Sequence, residues 1–116
     1  MKQELLDLID DIKKKELLVI VEGIKDKKAL KSLGVENIFT LKKPLYSVVE
    51  EISKMSKEVV ILTDLDDKGK ELYHKLSRDL QRNGVKVNNK LREALFRTPL
   101  RHIEGIDTYL NTELKL

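Results

Sequence analysis

The stretch LLVIVEGIKD, residues 17–26, decides how the chain folds. Its first five residues are all apolar and partly β-branched, which is typical of a strand buried on both faces of a parallel sheet. Glu22 and Gly23 follow directly, and apolar residues at helical spacing return between residues 29 and 33. The stretch therefore predicts a strand followed by a helix, which is half of a βαβ unit.

The same alternation continues along the chain. The apolar spacing predicts helices over residues 2–15, 25–33, 44–55, 67–83 and 103–114, and strands over residues 17–21, 35–40, 59–62 and 85–87. Crossovers between parallel strands are right-handed almost without exception, so these elements fit one open sheet. We predict an α/β fold with four mostly parallel strands and helices on both faces. Residues 88–100 have a poor apolar pattern, from which no element is assigned.

Length and composition bound the class of protein. A chain of 116 residues has the size of one domain, with core motifs in residues 17–87 and a basic segment and terminal helix in residues 88–116. Cysteine is absent, which excludes disulfides and thiolate metal sites. The longest apolar run has five residues, against about 20 for a membrane helix, and the acidic first ten residues do not resemble a secretory signal. We expect a cytoplasmic protein with no membrane partner.

The charged residues make up 37% of the chain, and their distribution is uneven. Six basic residues and one acid lie between Arg82 and Arg101, a charge of +5, whereas the other 96 residues carry −2. A nucleic-acid partner is plausible for this segment, with Arg92, Arg97 and Arg101 as phosphate contacts. A solvated, mobile loop is the alternative. The dense Lys and Glu usage also suggests a thermophilic source.

Acidic side chains follow two of the predicted strands. Glu22 comes directly after the first strand, and Asp64 and Asp66 come directly after the third, with Asp26 and Asp67 close behind. Open α/β sheets bind ligands beyond the carboxyl ends of their strands, so these acids should meet there. Crowded carboxylates repel one another unless cations neutralise them. Oxygen ligands without cysteine favour Mg²⁺ or Mn²⁺, and we expect two ions at Glu22, Asp64 and Asp66.

Each of these residues has a structural alternative. Asp66 or Asp67 can cap the helix that follows, and an acid after a strand can be a solvated loop residue. Lys68 lies inside the acidic loop and is a further candidate for a phosphate contact. The segment RHIEGID repeats a Glu-Gly pair; we interpret His102 and Glu104 as capping or packing residues, with a phosphate contact by His102 as the alternative.

The order and spacing of the two acidic motifs resemble the Toprim domain, and the similarity covers residues 17–87. That domain is shared by topoisomerases, bacterial-type primases, recombination-mediator proteins, some nucleases and the ribonuclease that matures the smallest ribosomal RNA. The chain is most similar to the small stand-alone Toprim proteins of bacteria and archaea. The residues that carry the resemblance are Glu22, Gly23, Asp26, Asp64, Asp66 and Gly69.

The resemblance implies a metal-dependent activity on nucleic acid. The chain lacks the companion domains that strand passage or primer synthesis needs, so phosphodiester hydrolysis remains, with RNA favoured over DNA. Asp64 and Asp66 would hold Mg²⁺, and Glu22 would ligate a metal or act as general acid/base. The alternative is a non-catalytic, metal-containing module that docks on RNA or a ribonucleoprotein. An aromatic content of 4% argues against a single-strand stacking platform in either case.

Overall fold

The computed structural model describes residues 1–114, with side chains described through residue 111. The strands are β1 (Leu18–Val21), β2 (Ile38–Thr40), β3 (Glu58–Leu62) and β4 (Lys86–Val87). The helices are α1 (Lys2–Lys15), α2 (Ile24–Ser32), α3 (Leu45–Met55), α4 (Asp67–Arg82), α5 (Lys90–Leu95) and α6 (Ile106–Leu114), with a 3-10 helix at Ile103–Gly105 before α6. The four strands pair in parallel, and β1 and β3 are neighbours, as the sequence predicts; the full order is β2-β1-β3-β4.

Strand β1 lies inside the sheet because all four of its residues are apolar and buried. Its last residue, Val21, pairs with Thr40 of β2 on one side and with Leu62 of β3 on the other. Parallel neighbours in this register end at the same edge of the sheet. The residues that follow β1 and β3 are therefore brought together at that edge.

Both faces of the sheet are covered, because alternate residues of each strand point to opposite sides. Val19 and Val21 face one apolar core, to which α1, α2, α5 and α6 contribute side chains. Leu18 and Ile20 face the other core, which lies under α3 and α4. Burial on both faces explains why β1 and β3 read as continuous apolar runs instead of alternating ones.

The surface carries the dense charge of the sequence. Exposed ion pairs one helical turn apart join Lys14 to Asp10 and Lys15 to Asp11 on α1. Such pairs contribute only about 0.3–0.5 kcal/mol each at room temperature, so high thermal stability stays a prediction. Among the described residues, no helix is both long and apolar enough to cross a membrane.

Residues 88–100, whose apolar pattern is poor, contain a helix. Helix α5 occupies the first half of that segment and packs against α1 through Leu91, Ala94 and Leu95, all of which are buried. The spacing of these three residues is helical, but six residues are too few for a periodic pattern to stand out.

Candidate metal centre

Glu22 and Asp64 lie side by side at the carboxyl edge of the sheet. Glu22 follows β1 directly, and its Oε2 accepts a hydrogen bond of 2.8 Å from the backbone N–H of Asp64. The adjacency expected from the two strand ends is therefore present. One oxygen of Glu22 is fixed by this bond, and its Oε1 remains available to a ligand or a proton.

Asp66 begins α4 as its N-cap. Its Oδ1 accepts a hydrogen bond of 2.8 Å from the N–H of Gly69, which satisfies a donor that the first turn of the helix leaves unpaired. The capping alternative is thus correct for this residue, while its Oδ2 is directed to the site. Asp67 is the first residue of α4 and is exposed.

The loop between β3 and α4 is folded back tightly on itself, which supplies the bend that Asp64 and Asp66 need to face one point. A Cβ atom at Gly69 would lie 1.9 Å from the carbonyl oxygen of Asp64, so no side chain fits there. The buried hydroxyl of Thr63 donates a 2.8 Å hydrogen bond to the Gly69 carbonyl and closes the loop.

His102 completes the cluster from a distant part of the sequence. Its Nδ1 lies 3.5 Å from Asp64 Oδ2 and 4.0 Å from Asp66 Oδ2. The segment is held in place by two hydrogen bonds, from Ile103 N to Asp64 Oδ1 (2.9 Å) and from Leu65 N to the Arg101 carbonyl (2.8 Å). His102 is the N-cap of the 3-10 helix but makes no side-chain capping hydrogen bond, and both its capping or packing role and the alternative phosphate contact stay predictions.

The free donor atoms fit a divalent cation. One ligand atom each from Asp64, Asp66 and His102 lies within 4.8 Å of the other two. Ligand atoms on opposite sides of one ion are about 4–5 Å apart for metal–ligand distances of roughly 2.0–2.6 Å. Glu22 is not in this group of three, so its role as a metal ligand stays a prediction.

Asp26 is a buried acid behind the cluster. Its Oδ2 accepts a 3.0 Å hydrogen bond from the N–H of Gly23, at the start of α2. Burial is the largest cause that raises the pKa of Asp26, and the Gly23 hydrogen bond opposes it. The charges of Asp64, Glu22 and Glu104 raise the pKa further. Glu104 is exposed and so contributes to this negative field from the surface.

Arg92 supports the site from inside, which corrects its predicted role as a phosphate contact. It is only 3% exposed, and it donates hydrogen bonds to the carbonyls of Thr63 (2.6 Å) and Asp64 (3.2 Å). Its guanidinium also lies 4.5 Å from the ring centroid of Tyr73 and 5.3 Å from that of Phe96. A buried guanidinium with these partners holds the end of β3 and cannot bind a phosphate at the surface.

The other predicted phosphate contacts are exposed. Arg97 forms a 2.6 Å ion pair with Glu4 of α1, and both side chains remain about half exposed. Arg101 precedes His102, and its guanidinium donates to the Thr98 and Leu100 carbonyls. Lys68, in the first turn of α4, is exposed beside the acidic loop. Arg101 and Lys68 flank the cluster, and all three contacts stay predictions.

Comparison with known families gives the class of this protein. A family model described as the Toprim domain matches residues 16–89. The chain belongs to the Toprim domain family, which confirms the resemblance seen in the sequence. Toprim domains bind divalent metals, and an acidic cluster of Asp64, Asp66 and His102 is present in this chain.

Two archaeal proteins are similar to nearly the whole chain. A UPF0292 protein of Methanocaldococcus jannaschii is 36% identical over 120 residues, which cover 97% of this chain and 94% of the relative. A UPF0292 protein of Thermococcus onnurineus is 38% identical over 111 residues, 95% of this chain and 84% of the relative. Both matches therefore cover nearly all of this chain and most of each relative.

Solved structures with the same fold agree with this assignment. An Aquifex aeolicus protein superposes with a TM-score of 0.78 at 31% identity, covering 85% of this chain and 94% of its own. The Aquifex aeolicus primase, solved as its zinc-binding and RNA polymerase domains, superposes with a TM-score of 0.56 at 24% identity. That match covers 90% of this chain and 27% of the primase, and at this identity it shows the fold alone.

Proposed function

We propose that this protein is a metal-dependent phosphodiester hydrolase that acts on nucleic acid, with RNA as the favoured substrate. The observation that supports it is the convergence of Asp64, Asp66 and His102 at the carboxyl edge of a Toprim sheet, beside Glu22. Each of the two aspartates uses one oxygen in a backbone hydrogen bond and keeps the other for a ligand.

The proposal assigns metal binding and proton transfer to different side chains. Asp64 and Asp66 would hold a divalent cation, Mg²⁺ or Mn²⁺, with His102 as a third ligand. When bound, such an ion neutralises phosphate charge and lowers the pKa of a coordinated water. Glu22 is fixed through Oε2 and has Oε1 free to accept the proton of an attacking water.

Positive side chains are needed next to such a site, because a carboxylate cluster repels a polyanion. Lys68 and Arg101 are exposed and close in the chain to Asp66 and His102, and they would hold the backbone of the substrate. Arg101 also fixes the loop, since its carbonyl accepts the N–H of Leu65. The proposal therefore places the scissile phosphate between these two cations.

The test is incubation of the purified protein with end-labelled single- and double-stranded RNA and DNA in Mg²⁺ or Mn²⁺. Cleavage is expected to require the metal and to fall at least about 100-fold in Glu22→Gln, because general acid–base catalysis contributes roughly 10²–10⁴-fold. Glu36→Gln is the matched control, since Glu36 is exposed and precedes β2 at the opposite edge of the sheet.

Two results would contradict the proposal. Cleavage that survives Glu22→Gln would show that a contaminant or another site carries the activity. Metal-dependent binding of nucleic acid without cleavage of any of the four substrates would instead favour the non-catalytic module that docks on RNA or a ribonucleoprotein.

A further inference from the structure

A cavity of about 220 Å³ lies between α4 and α5, next to the metal centre. Its walls include Tyr73 and Phe96, two of the five aromatic residues in the chain. Its volume is below the roughly 300–1,000 Å³ of sites that hold a drug-sized ligand. The cavity therefore suits a single flat ring system and not a whole cofactor.

The cavity and the metal centre share parts of their walls. Arg92 lines the cavity, and its guanidinium donates to the carbonyl of Asp64. Lys70 also lines the cavity, and it follows the capping residue Asp66 by four residues of helix, about 6 Å along the axis. A group in the cavity would therefore lie within about one nucleotide of a phosphate at the metal centre.

The chemistry of the walls matches a nucleobase. Phe96 is 38% exposed, so part of its ring is accessible for stacking. The Tyr73 hydroxyl donates to Oδ1 of Asn89 and so fixes that amide, whose N–H donors can serve a base. Glu93 is exposed and supplies acceptor oxygens at the rim.

Lys70 is an exposed positive side chain of the cavity that can meet the phosphate of a bound strand, whereas Arg92 is buried and can contact only the base. Lys70 Nζ lies 5.5 Å from the Phe96 ring centroid, and Arg92 lies within a similar distance of the same ring. Unpaired bases in single strands, loops and ends are recognised in this way, by stacking on aromatic rings and guanidinium planes. A duplex keeps its bases stacked inside and cannot fill the cavity.

We propose that this cavity binds one unpaired nucleobase of the strand whose neighbouring phosphate lies at the metal centre, with Phe96 as the stacking residue. The inference rests on the proposed action on nucleic acid and deepens it, because it makes single-stranded segments the preferred substrate. It also revises the expectation from the low aromatic content. A single stacking position needs only one well-placed ring.

The test measures binding of a short single-stranded RNA that carries the fluorescent base 2-aminopurine at successive positions. All proteins carry Glu22→Gln, so that the strand is not cleaved. At one position the fluorescence should be quenched on binding. Phe96→Ala should abolish that quenching and weaken binding about 5- to 150-fold, the range measured for loss of one base–aromatic stack.

Tyr46→Ala is the matched control. Tyr46 is 77% exposed on α3, under which the opposite core lies, so its loss should change neither affinity nor quenching. Phe96→Leu keeps an apolar side chain beside Arg92 and should lose the quenching without loss of folding. Calorimetric titration with Mn²⁺ should give the same affinity for all of these variants.

The outcomes separate this inference from the proposed function. If the strand binds and Phe96→Ala behaves like Tyr46→Ala, the cavity binds no base, and only this inference is contradicted. If the protein binds no nucleic acid at all, the proposed function fails as well. A free mononucleotide that binds as tightly as the strand would also overturn the inference, since it would identify a separate nucleotide site.

Discussion

The two carboxylate oxygens of each aspartate at the metal centre have different partners. Asp64 and Asp66 each bind a backbone N–H through Oδ1 and leave Oδ2 to the ligand. Asparagine keeps an oxygen acceptor but has no charge. Exchange of these aspartates for asparagine is therefore a specific test of the site, because it removes a metal ligand and preserves the cap of α4.

Asp26 should make the stability of the metal-free protein depend on pH. Burial and the neighbouring acids raise its pKa above the ordinary value of about 3.9, so the folded state binds this proton more tightly than the unfolded chain does. Above the raised pKa, the charged Asp26 carboxylate lowers the free energy of unfolding by its full amount. As pH falls through that pKa towards about 3.9, protonation of the folded state removes the penalty.

Asp26→Asn should therefore raise the free energy of unfolding at neutral pH in the presence of a chelator. Its advantage over the native chain should shrink as pH falls towards 4. Urea unfolding across this pH range is the measurement, with the exposed Asp10→Asn on α1 as control. A variant that is less stable at neutral pH would show that the hydrogen bond from Gly23 to the charged carboxylate outweighs the cost of its burial and the repulsion by neighbouring acids.

Arg92 should be sensitive to a change that preserves its charge. A lysine ammonium is compact and lacks the planar fork that reaches two carbonyls, so Arg92→Lys leaves a buried acceptor unsatisfied. We expect a loss of about 1–3 kcal/mol of stability, measured by denaturant unfolding. Arg82→Lys, at an exposed position, should stay within about 0.5 kcal/mol. An equal loss of stability in the two variants would contradict the buried role of Arg92.

At the scale of elements, the loop between β3 and α4 depends on the absence of a side chain at Gly69. Gly69→Ala places Cβ against the Asp64 carbonyl and should cost about 3 kcal/mol or more, because backbone must move. Gly23→Ala is the control, since nothing lies within 4 Å of a Cβ there. As an N-cap substitution it should cost less than about 1 kcal/mol. Similar losses of stability in Gly69→Ala and Gly23→Ala, measured by thermal unfolding, would contradict the close contact at Gly69.

Much of the fold follows from the sequence because its signals are local. The apolar runs of β1 and β3 identify buried parallel strands, and the helical spacing of α1, α3 and α4 is long enough to recognise. The short elements β4 and α5 gave weak signals, since their stability comes from tertiary packing. The sequence predicts the position of β4 only approximately and does not predict α5.

The candidate site was predictable only where its residues follow strands. Glu22 and Asp64 were identified because parallel topology alone brings them together. His102 reaches the site through a contact between segments that are far apart in the chain, which no local pattern encodes. Arg92 was misjudged for the same reason, because a charged side chain in a basic segment predicts exposure, whereas Tyr73 and the end of β3 bury it.

At the scale of the molecule, parallel topology divides the basic segment between two edges of the sheet. Arg82 ends α4, about 22 Å along the helix axis from its first residue, and Lys86 begins β4 at the same far edge. Lys68 and Arg101 lie at the edge with the acids. Of these two pairs, the second is the one that the proposed function uses to hold a nucleic acid at the metal centre.

The double change Lys68→Ala and Arg101→Ala should weaken single-stranded nucleic-acid binding irrespective of sequence. It should also flatten the dependence of log affinity on log salt by about 0.7 for each lost phosphate contact. Fluorescence anisotropy at several salt concentrations measures both quantities. Arg82→Ala with Lys86→Ala is the matched control and should change neither. Larger changes in affinity or salt dependence in the control pair would show that the nucleic acid binds at the far edge of the sheet.

The central claim is that the carboxyl edge of the sheet binds a divalent cation through Asp64 and Asp66. Calorimetric titration of Mn²⁺ into the native protein and into the double variant Asp64→Asn, Asp66→Asn tests it most directly. The control is Asp10→Asn with Asp11→Asn, two exposed acids on α1. We predict binding to the native and control proteins and none to the double variant. Undiminished binding to the double variant would place the metal elsewhere and contradict the account.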